Sequence, residues 1–72
     1  MIKAGQLVIT NLRAAGGWVL SKRTLHWMPI KQGFPYLVVE IRNAIWAVNN
    51  VAVLLTQDGI LIEVLLDVLN PI

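Results

Sequence analysis

The chain has 72 residues, no cysteine, one histidine and a net charge of +2; 57% of its residues are hydrophobic and only 14% charged. That length allows one small domain over residues 1–72 with a marginal core, and the missing cysteines exclude disulfide staples and a zinc site built from Cys and His. Charged residues ordinarily make up about 25% of a chain, so a chain this small and this apolar points to oligomerisation, inside a larger assembly, as its remaining support.

Turn signals cut the chain into short apolar runs. Gly5 precedes the run 6–10, and Ala14-Ala15-Gly16-Gly17 precedes the run 18–20, where the glycine pair reads as a flexible or strained corner. Residues 23–35 read as a long loop punctuated by Pro29, Gly33 and Pro35. The runs 36–42, 45–48, 51–55 and 60–64 follow. Asn49-Asn50 and Asp58-Gly59 separate the last three as tight turns, because Asn, Asp and Gly tolerate positive φ. Short β-branched runs at this spacing predict an all-β chain, an antiparallel barrel or sandwich. In the last segment Ile60, Ile62, Val64, Leu66 and Val68 alternate onto a core face. Leu61, Glu63, Leu65, Asp67 and Leu69 fall on the other face, a mixture of leucines and acids suited to an interface rim. The alternative is a helical hairpin over 37–69: Leu37, Ile41, Ala44, Ile45, Val48, Ala52 and Leu55 also follow helical spacing, with Gly59 as a C-cap. The many Val and Ile residues of 37–55, and an Asn pair in the middle, favour strands.

Membrane spanning is not expected. The longest stretch without charge, residues 43–57, is fifteen residues long, whereas a spanning helix needs about 20 apolar residues. Glu63 and Asp67 interrupt the next stretch, and the N-terminal residues do not form a secretory leader. Catalysis is not expected either. Ser21 and His26, the only residues of their types, are five apart and so face opposite sides of a strand. No phosphate-binding loop and no metal or cofactor ligand set is visible. Trp18 and Trp46 read as core fillers. Trp27 and Met28, in the 23–35 loop, join Leu61, Leu65 and Leu69 as candidate interface residues. Charge is distributed unevenly: Lys3, Arg13, Lys22, Arg23 and Lys31 are the only charges up to residue 39, and Glu40, Arg42, Asp58, Glu63 and Asp67 follow. Lys22, Arg23 and Lys31, near His26 and Trp27, are the candidate nucleic-acid contacts.

Lys3-Ala4-Gly5-Gln6-Leu7-Val8 resembles the K-x-G-x-L-V opening of small SH3-like barrels, including many short phage proteins of that type. Gly17-Trp18-Val19-Leu20 is similar to their second strand, and Asp58-Gly59 sits where they have a D-G hairpin. The segment 65–72 resembles their closing 3₁₀ turn and last strand. The resemblance implies a small SH3-like antiparallel barrel, without the acidic and aromatic groove of a peptide-binding SH3 domain. Together with the apolar excess and the absence of catalytic groups, it predicts a structural or interaction subunit: a phage virion protein of the cement, decoration or connector kind, located in the virion or host cytoplasm. Its partners would be other protein subunits, through self-association or a capsid contact. The alternative function is a nucleic-acid-binding small barrel.

Overall fold

The computed structural model describes residues 2–20 and 26–72. Its strands are β1 (Leu7–Ile9), β2 (Gly16–Val19), β3 (Trp27–Pro29), β4 (Tyr36–Arg42), β5 (Val51–Leu55), β6 (Leu61–Leu65) and β7 (Asn70–Pro71). A 3₁₀ turn, Leu66–Val68, precedes β7. The chain is all-β, as its punctuated β-branched runs predict. The helical alternative over 37–69 fails because β4, β5 and β6 occupy that span as an antiparallel meander.

All seven strands form one antiparallel sheet in the order β3-β2-β6-β5-β4-β1-β7. Among the described residues no ladder joins β3 to β7, so the sheet stays open where a closed barrel was expected. It nevertheless curls. A flat sheet is one strand thick, whereas the shortest dimension of this molecule is 21 Å. Curling follows from the composition of the inner face. Val8, Val38, Leu54 and Ile62 come from four different strands, are fully buried and belong to one cluster with Ala15, Ile30, Tyr36, Val64 and Leu69. With no second layer to cover that face, the sheet must wrap around it.

The turns are set by individual residues. Gly59 has φ +80°, and the Thr56 N–H donates to Ile60 O at 2.8 Å while Gly59 N–H returns to Thr56 O at 3.0 Å. This is a three-residue hairpin loop closed by a left-handed glycine. Asp58 keeps negative φ, so the Asp58-Gly59 pair does not form the two-residue turn expected of it. Gly5, at φ +87°, turns the chain into β1, and its N–H donates to Val38 O at 2.7 Å.

Four further expectations are corrected. The long loop expected over 23–35 contains a strand, β3, which pairs with β2. Gly16 and Gly17 are not a corner but part of β2, buried between two neighbouring strands. The run 45–48, expected as a strand, lies in the loop joining β4 to β5, with Ala47 N–H donating to Ala44 O at 3.2 Å. The alternation expected over 60–69 holds through Val64 and then breaks, because the 3₁₀ turn shifts the phase and carries Leu69 into the core.

Candidate functional site

The β4–β5 loop, residues 43–50, is held by a polar clamp on the outer face of the sheet. Glu63 lies in the middle of β6, opposite Val53 on one side and Trp18 on the other. It is only 9% exposed, and a carboxylate so placed must find partners. Arg42, the last residue of β4, supplies two: its Nε donates to Oε2 at 2.8 Å and its Nη2 lies 2.7 Å from the same oxygen. The other oxygen, Oε1, accepts from Trp46 Nε1 at 3.0 Å. The loop is thereby pinned to β6 through its indole. Asn49 Nδ2 to Asp67 Oδ2, at 3.4 Å, is a longer exposed link on the far side of the loop.

With Trp46 fixed, its neighbours are turned outward. Ile45 and Val48 are as exposed as free side chains, at 107% and 103%. Arg42, Asn43, Ala44, Ile45, Trp46 and Glu63 line an open cleft of about 570 Å³. Apart from the clamp groups and Asn43, the lining is apolar. Among the described residues no three His, Asp or Glu side chains converge as metal ligands. No helix there is long and apolar enough to cross a membrane.

A second aromatic group lies beside the clamp. Trp18 and Trp27 are register partners on β2 and β3, with ring centroids 5.1 Å apart and planes at 79°. Trp27 sits over Gly16, where a Cβ would come within 2.7 Å of its Nε1.

The structure disperses the candidate interface residues. Trp27 is exposed on the edge strand and Met28 is half-buried against the core. Leu61 is exposed, while Leu65, at the other end of β6, is half-buried. Leu69 is 6% exposed and belongs to the core, so it is not available as an interface residue of the single chain. Of the candidate nucleic-acid contacts, Lys22 and Arg23 lie outside the described residues, as does Ser21. Lys31 is exposed, with its Nζ 5.8 Å from the Phe34 ring centroid. Sequence reasoning missed the clamp: Arg42 and Glu63 are 21 residues apart, and only the pairing of β4 with β5 and of β5 with β6 brings them together.

No protein-family model matches the chain, and neither a curated protein nor a solved structure is similar to it at a significant level.

Proposed function

We propose that the chain is a non-enzymatic structural subunit that docks into a larger protein assembly, as a phage virion component of the cement, decoration or connector kind with an SH3-like architecture. One observation carries the reading: an apolar loop tip, Ile45 and Val48, stands fully in solvent on a loop pinned by Glu63 and Arg42. Exposed side chains of this size each contribute about 1.5–3 kcal/mol when buried. A loop already held in place loses less entropy on docking than a free one. The phage and SH3-like parts of the proposal rest on the resemblance of residues 3–8, 17–20 and 65–72. The order of a glycine turn, a β4-β5-β6 meander and a 3₁₀ turn before the last strand supports them.

The test is sedimentation of material from the cells or particles that make the protein. The wild-type chain is expected to travel with a large particle. The double variant Ile45→Asp/Val48→Asp is expected to remain at the top of the gradient with an unchanged circular-dichroism spectrum. A wild-type chain that stays at the top overturns the proposal, and salt-dependent retardation of DNA or RNA by that chain moves the assignment to a nucleic-acid-binding barrel.

A further inference from the structure

A row of apolar side chains crosses the outer face of the sheet, on a surface separate from the loop tip. Leu7 pairs with Leu37, Leu37 with Leu55, and Leu55 with Leu61. The row continues at both ends: Leu20 N–H donates to Leu61 O at 2.9 Å, and Ile72 N–H to Leu7 O at 3.2 Å. Directly paired residues project to the same face. The row therefore runs Leu20, Leu61, Leu55, Leu37, Leu7, Ile72 over six adjacent strand positions, about 24 Å at the usual strand spacing. Each of the six is 37% exposed or more, while the next residue inward on the central strands, Val8, Val38, Leu54 or Ile62, is completely buried. The row is thus the outer counterpart of the core, and its side chains stay exposed among the described residues.

We infer that this leucine band is a self-association surface, covered by a second copy of the chain. Three observations point to that occupant. The first is area: the six side chains, with Val39 beside Leu37, expose on the order of 500 Å² of largely apolar surface, at the upper end of what a monomer ordinarily shows and a large share of the ~800 Å² that each partner contributes to a stable interface. The second is chemistry: none of the six side chains carries a charge or a hydrogen-bonding group, so the band is matched by another copy of itself and holds no code for a partner of different chemistry. The third is the state of the sheet edges. In β3 the bonds Val19 N–H to His26 O and Ile30 N–H to Ala15 O leave Pro29 on the outward-facing side of the ladder. In β7, Ile72 N–H to Leu7 O leaves Pro71 outward in the same way. Each edge therefore lacks an N–H where an added strand would need one. Copies are steered away from edge pairing and onto the band.

This inference goes beyond the docking role proposed above and uses different residues, so the two fail separately. Light scattering on the purified full chain is expected to give a dimer or larger. Leu37→Glu/Leu55→Glu is expected to return the single-chain mass, while Ile45→Asp/Val48→Asp keeps the oligomer. A wild-type monomer at high concentration overturns the inference, as does an oligomer that survives the band variant or is lost in the loop variant. Should the band variant not fold, single-cysteine crosslinking decides the question, since the natural chain has no cysteine. Leu37→Cys is expected to form disulfide-linked dimers several-fold faster than Leu12→Cys, which is an exposed position off the band. Equal rates overturn the inference.

Discussion

Gly17 shows how much one residue decides here. It sits in β2 between β3 and β6, and a Cβ built on it runs into the Glu63 backbone and comes within 2.6 Å of Val64 Cγ2. The glycine is required by close strand approach, not by a left-handed conformation. Gly5 is the opposite case, with φ +87° and open space around it. Gly17→Ala is therefore expected to cost about 1–3 kcal/mol through overpacking. Gly5→Ala is expected to cost only about 1 kcal/mol through backbone strain. Urea unfolding midpoints check both, and equal losses would refute the steric account of Gly17. Glu63 is the other decisive residue. Its two oxygens are shared between Arg42 and Trp46, so one carboxylate both satisfies itself in a buried position and fixes the loop that carries Ile45 and Val48. In the sequence Glu63 reads as one of two acids on a leucine-containing face suited to an interface rim. Nothing local distinguishes it from Asp67, which is exposed.

At the scale of elements, the strands differ in how they were legible. β4, β5 and β6 follow the apolar runs 36–42, 51–55 and 60–64 closely, because β-branched content and turn residues act locally. β3 was hidden inside an expected loop. Its three residues include a proline and carry no alternation of their own, and its strand geometry comes entirely from pairing with β2. The run 45–48 erred the other way. It has strand-like composition, but Trp46 is recruited by Glu63 and the chain arches away from the ladder. The two edge strands share a device, an outward proline on each. Pro29→Val restores an outward N–H on β3 and is expected to convert a discrete oligomer into open-ended association. Growth of light scattering with time, with a rise in thioflavin fluorescence, would register it. An unchanged, stable mass would show that the proline does not guard the edge.

For the whole molecule, the outer surface matters more than the net charge of +2. The two surfaces proposed for contact are apolar: the loop tip at Ile45 and Val48, and the band from Leu20 to Ile72. Surface electrostatic contacts weaken as salt screens them, whereas apolar burial does not. Oligomer mass is accordingly expected to be unchanged, or to rise, between roughly 0.05 and 1 M sodium chloride. Dissociation at the higher salt would show that the uneven charges of the chain, not the leucine band, hold the copies together.

The sequence by itself determined the strand class, the buried Ile62 and Val64 of β6 and the surplus of apolar side chains, because β-propensity, alternation and turn chemistry operate over a few residues. It also marked Leu61 and Trp27 as candidates for contact, and both are exposed. Only the tertiary structure decided which apolar residues are left outside. Leu69 and Leu61 share one face in an alternating reading, but the 3₁₀ turn sends the first inward and leaves the second in the band. The band itself, and the meeting of Arg42, Trp46 and Glu63, depend on cross-strand register. Register is set by pairings between distant segments, and a shift of one residue would exchange the core face for the surface.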